Sequence, residues 1–152
     1  MAAAPGPLPD EEFVYRRIAW RHYANPTESP YPRIDAFLPR KDEMDGLSVD
    51  RARLTEIDRT RRGRSTLPYH VARLSVGELR RKLGLVVVPE PTPADPRLGL
   101  PDNPAHALIP GLSRAVYEQD KAAFRAMIDV IIREIAELVL VALDPTIFSH
   151  HE

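Results

Sequence analysis

Two histidines, His70 and His106, are the residues of this 152-residue chain best placed to move a proton. They stand in similar settings, Tyr-His-Val-Ala and Ala-His-Ala-Leu, each inside a run that reads as a strand. Two strand histidines facing one cleft would suit a phosphoester, one acting as base and the other as acid. Ser48 adds a hydroxyl, Arg16 a guanidinium for an anion, and Asp45 a carboxylate, which completes the candidate catalytic set. Acting through His70, His106 and Ser48, the chain would be a small enzyme on a nucleotide or nucleic-acid phosphate. The plainer reading makes each histidine a structural residue bonded to a neighbouring loop, Ser48 a turn residue and Arg16 a solvated strand position.

The details favour the plainer reading. Two-histidine phosphoesterases carry a threonine or serine two residues after each histidine, and here those positions are Ala72 and Leu108. An arginine on an early strand and a serine on a later one loosely resemble the order in ADP-ribosyltransferase-like folds. The late strand glutamate of those folds has no counterpart, because Glu118, Glu134 and Glu137 are expected on a terminal helix. His22 stands alone, and His150 and His151 lie at the very end. No histidine–carboxylate spacing matches a metal motif, so no metal is expected. Without a Gly-rich phosphate loop or a nucleophile elbow, no cofactor is expected either. Cysteine is absent, which removes disulfides and thiolate ligands and fits a reducing compartment.

Charge points elsewhere. The net charge is −1, so nothing global draws the chain to nucleic acid or to a membrane. Locally, residues 51–82 hold an excess of basic side chains, and Arg61, Arg62 and Arg64 are the candidate phosphate contacts. Arginine far outnumbers lysine, a bias expected of a GC-rich bacterial genome. No apolar run reaches the roughly twenty residues of a membrane span. A soluble cytoplasmic chain is the expectation.

These side chains must be positioned by an α+β fold: a small mixed or antiparallel sheet, two short helices and one long C-terminal helix. Residues 1–12 read as a disordered leader, 13–112 as the α+β core, 113–144 as the terminal helix and 145–152 as a tail. Phe13 to Trp20 alternates as a first strand. Ile34 to Leu38 reads as a short extended piece, and Asp50 as the cap of a helix running to Arg59 with Leu54 inward. Tyr69 to Leu74 is a strand, and Ser75 with Glu78 forms a capping box for a helix that ends at Gly84. Leu85 to Val88 and His106 to Ile109 are further strands, joined by a connection with six prolines over residues 89–104. Loops this long inside compact domains tend to be functional.

Ser113 caps the last helix, with a break near Asp120. Its polar residues Arg125, Asp129, Arg133, Glu134 and Glu137 make one narrow stripe, and the remaining circumference is apolar. A surface helix needs only about a 100° apolar stripe. Either the sheet and loops clasp this helix as ordinary core, or Met127, Ile128, Ile131, Ile135, Leu138 and Val139 form an interface.

Three segments in order, Asp35-Ala36-Phe37-Leu38-Pro39, Asp45-Gly46-Leu47-Ser48-Val49 and Asn103-Pro104-Ala105-His106-Ala107-Leu108-Ile109, carry a resemblance. Over residues 15–112 the chain resembles small uncharacterised bacterial proteins with the same landmarks. The resemblance implies a bacterial origin and a compact α+β core, and no activity. The reading as a whole is a non-enzymatic interaction protein, a subunit of a homo-oligomer or multi-protein complex that docks through its apolar terminal helix.

Overall fold

A computed structural model of the chain describes residues 6–18, 33–55, 70–97, 99 and 102–139. Among these residues six strands form one sheet: β1 (Phe13–Ile18), β2 (Leu47–Arg51), β3 (His70–Ser75), β4 (Val88–Pro89), β5 (His106–Ile109) and β6 (Glu137–Val139). Their spatial order is β4-β5-β2-β1-β3-β6, and every neighbouring pair is antiparallel. The expected α+β class is therefore what the chain adopts, with the sheet wholly antiparallel.

Alternation along the strands separates two faces. Val14, Ile18, Leu47, Val49, Ala72, Leu74, Ala107 and Ile109 are buried on the first. Against them pack α1 (Val76–Leu83), α2 (Arg114–Gln119), α3 (Lys121–Val130) and the 3-10 turn Ile34–Phe37, which contribute Leu79, Tyr117, Phe124, Ile128 and Phe37 to one core. On the second face a row crosses five strands: Glu137, Arg73, Tyr15, Asp50 and His106 are successive register partners.

The capping signals act as their residue types dictate. Ser75 Oγ accepts from Glu78 N–H, and the Glu78 carboxylate turns forward to Arg81 and Lys82 instead of back to the cap. Gly84 closes α1 at φ 66, where a side chain would be strained. Gly84→Ala is expected to cost about 1 kcal/mol, read from the midpoint of chemical denaturation.

Several expectations are corrected. Residues 6–12 are not a disordered leader: Leu8 is buried in the core and its N–H donates to Val87 O at 2.8 Å. The carbonyls of Asp10 and Glu12 accept from Gly77 and Val76, satisfying two N–H groups that the first turn of α1 leaves open. Ile34–Phe37 is a 3-10 turn, not an extended piece, because Phe37 must turn inward to be fully buried. Asp50 caps no helix: Asp50 and Arg51 continue β2 and the 3-10 turn Ala52–Leu54 follows, with Leu54 exposed, while residues 56–59 of the expected helix lie outside the described residues. Of the expected strand Leu85 to Val88, only Val88 enters the ladder, while Leu85 and Val87 point into the core.

The terminal helix is the largest change. It breaks at Asp120, whose carboxylate caps α3 by accepting from Ala123 N–H. It then widens into a π-helical turn over Ile131–Ile135, and the chain emerges as β6. Leu138 and Val139, expected on the helix, belong with Glu137 to a strand paired with β3 and not to another helical turn. Where it is described, the connection over residues 89–104 is also more ordered than expected; residues 98, 100 and 101 lie outside the described residues. It is a hairpin arm, in which Glu90 N–H donates to His106 O and Thr92 and Asn103 exchange both backbone bonds.

Candidate functional site

Arg16 lies on β1 between Val14 and Ile18, on the core-facing side, so it carries a charge into the interior. Burial of a guanidinium demands a carboxylate and acceptors for its remaining N–H groups. Both are present. Nη1 donates to Glu43 Oε2 at 3.0 Å and to Ser48 O at 2.9 Å, and Nε donates to Ala36 O at 3.3 Å. Glu43 in turn accepts from the backbone N–H groups of Arg40 at 3.0 Å and Ser48 at 2.8 Å.

Its side chain is only 2 % exposed. Burial pushes the Glu43 carboxyl up, but Arg16 and the two backbone donors outweigh that and hold it below the usual carboxylate range. Burial pulls Arg16 below the usual guanidinium range, opposed by Glu43, and an arginine remains charged throughout. The same loop, residues 38–46, is fastened to α2, because Arg114 N–H donates to Glu43 O and Arg114 Nη1 to Pro39 O.

That fastened loop is one wall of a pocket of about 180 Å³ lined by Asp42, Glu43, Asp45, Gly46, Ser48, Glu90, His106 and Leu108. Gly46 allows the wall to meet β5: a Cβ there would lie 3.0 Å from Leu108 Cβ and 3.1 Å from Ile109 O. The opposite wall is the start of the hairpin arm. His106 is oriented from that side, since its Nδ1 lies 2.8 Å from the carbonyl oxygen of Glu90. A carbonyl can only accept, so Nδ1 carries the proton and Nε2 is left with the lone pair in the neutral ring. Asp50, the register partner of His106, accepts from Asn103 Nδ2 at 3.0 Å.

Three of the five catalytic candidates therefore meet: Ser48, Asp45 and His106 line one pocket. Ser48 pairs with Leu108 and Asp50 with His106, so Ser48 and His106 are diagonal neighbours about 7 Å apart. Arg16 faces the other side of the sheet and touches the pocket residues from behind, through the Glu43 carboxylate and the Ser48 carbonyl. His70 does not join them. It stands opposite Ile18 on β3, and β1 and β2 separate it from β5, so three interstrand steps keep the two backbones about 14 Å apart. The pair of histidines acting across one cleft is overturned by that distance. Glu137 belongs to β6 rather than a helix, but it pairs with Arg73 on β3 and is remote from Ser48.

Ile128 and Ile131, two of the six interface candidates, are fully buried within the chain's own core, and Met127 and Ile135 pack against it. Leu138 and Val139 are strand residues of β6. The helix is thus clasped as core, and its apolar circumference is not a free docking face. Arg61, Arg62 and Arg64 lie outside the described residues. Two residues important to the pocket, Glu43 and Glu90, carry no motif of their own. The available signal was Arg16, an arginine in phase with apolar strand neighbours, which requires a buried carboxylate somewhere in the chain. Among the described residues no cluster of three or more possible ligands could hold a metal ion, and no helix is long and apolar enough to cross a membrane.

No protein-family model matches the chain, and no curated protein or solved structure matches it either.

Proposed function

We propose that the protein is a non-enzymatic interaction subunit that seats a cationic side chain of a partner protein in the pocket beside His106. The observation that supports this most is the pocket's charge and size together. Asp42, Asp45 and Glu90 surround it, and among the described residues that line it none is a lysine or arginine. Arg16 neutralises Glu43, and Arg40 partly offsets Asp42, so the surplus is negative and an anionic phosphate would be repelled. At about 180 Å³ the pocket is smaller than the roughly 300–1,000 Å³ typical of small-molecule sites. It would hold the end of one side chain.

A short arginine peptide, acetylated and amidated, added at low salt is expected to shift the backbone NMR signals of Gly46, Ser48 and Leu108. The paired change Asp45→Asn and Glu90→Gln should remove that response while leaving the fold intact. Shifts that persist in the double variant, or none in the parent, would overturn the reading. Light scattering in parallel reads the partner: a dimer abolished by the same double variant would make the partner a second copy of this chain.

A small enzyme is the second reading, on one observation: Ser48 and His106 share the pocket, and the imidazole is already oriented by the Glu90 carbonyl. A serine activated this way would be labelled by a fluorophosphonate probe, and the label would disappear in Ser48→Ala. An unlabelled Ser48 removes that reading.

A further inference from the structure

We infer that the pocket takes a guanidinium in preference to an ammonium, and that a proton on His106 expels it. This rests on the cation-binding reading above and adds its chemistry and its regulation. With Nδ1–H committed to the carbonyl of Glu90, the neutral ring can offer a ligand only Nε2, an acceptor. The other groups lining the pocket, the Asp45 and Glu90 carboxylates and the Ser48 hydroxyl, accept as well. A guanidinium brings five N–H donors in a planar fork and matches several acceptors spread around one small space. An ammonium is a compact point charge that holds its water more tightly.

Protonation reverses the role of His106. The ring becomes a donor at both nitrogens, and its charge stands where the guanidinium would lie. The charged groups facing it are known from each side. Glu90 lies on the arm, with Oε1 4.0 Å from Nδ1; Asp50 is its partner on β2; Asp42, Glu43 and Asp45 face it from the loop. Glu43 is already satisfied by Arg16, and Asp50 by Asn103. Asp45 and Glu90, with Asp42 only partly offset by Arg40, remain as the charges for which a proton on the ring and a guanidinium in the pocket compete. Binding of either must weaken the other by the same factor.

The test uses the full chain and two peptides that differ only in arginine or lysine, titrated by calorimetry at pH 7.5 and 5.5. The arginine peptide is expected to bind at least fivefold more tightly than the lysine peptide at pH 7.5, and at least fivefold more weakly at pH 5.5 than at pH 7.5. Where the ring is partly protonated its binding should release protons, seen as a heat that varies with the buffer's ionisation enthalpy. His106→Gln, neutral at both pH values, should still bind the peptide and lose the pH dependence. Equal arginine binding at both pH values, or a pH dependence that survives in His106→Gln, would overturn the gate while leaving the cation reading standing. Equal arginine and lysine affinities would overturn the guanidinium preference. Failure of both peptides to bind at either pH would overturn the gate and the reading beneath it together.

Discussion

Glu43→Ala is expected to lose about 3–5 kcal/mol of stability, because it leaves the Arg16 guanidinium buried without its counter-charge. A domain of this size has about 5–15 kcal/mol in total, so a large part of the folding free energy is at stake. The backbone N–H groups of Arg40 and Ser48 lose their acceptor at the same time. The double variant Arg16→Met with Glu43→Leu removes both charges. It should be more stable than Glu43→Ala and close to the parent, since a buried ion pair is weak as a net source of stability but costly to break. Urea denaturation of the three proteins measures this. A loss under 1 kcal/mol in Glu43→Ala would mean that water or another acceptor already serves the Arg16 guanidinium.

The pair also sets a pH dependence with a definite sign. The Glu43 carboxyl is held below its ordinary value of 4.5 in the folded chain, so the unfolded chain binds a proton first as pH falls. Its contribution is whole above about pH 4.5 and is lost as pH falls through the lower folded value. The thermal midpoint should therefore drop on the acid side in the parent, and drop less in the Arg16→Met, Glu43→Leu protein.

Ile131→Asp is expected to abolish the cooperative unfolding transition. Ile131 has no exposed surface and sits in the π-helical turn between Ile128 and β6, so a carboxylate there is buried without partners. Near-ultraviolet circular dichroism should show the loss of fixed packing. The milder Ile131→Val should cost about 1 kcal/mol and keep the fold, which separates a packing role from an unrelated failure to express. A folded, monomeric Ile131→Asp protein would instead return this residue to an interface.

Local patterns were legible in the sequence where neighbours in the chain decide the outcome. Ser75, Gly84, Ser113 and Asp120 each meet their hydrogen-bonding partners within a few residues, and each acts as its type implies. The strands at Phe13, His70 and His106 follow from alternation for the same reason. The failures are long-range. Asp50 is as good a cap as any aspartate until Asn103, 53 residues on, takes its carboxylate and β5 takes its backbone. Residues 137–139 continue an amphipathic helix in pattern, but the open edge of β3 needs a partner, and that requirement is invisible in the pattern itself. Within the site, Ser48, Asp45 and His106 were found by residue type. Glu43 was not, because its importance depends on Arg16, 27 residues earlier.

The prolines of the hairpin arm have a consequence for association between chains. Glu90 and Thr92 direct their N–H groups inward, to His106 and Asn103. In an antiparallel ladder the residues that alternate with them face outward, and those residues are Pro89, Pro91 and Pro93. The outer margin beyond Val88 thus has no N–H to offer at three successive positions, and the carbonyl of Val87 is already taken by Leu8. An extended segment from another molecule could not zip onto this margin, which protects the chain there from the strand-by-strand growth that builds fibrils.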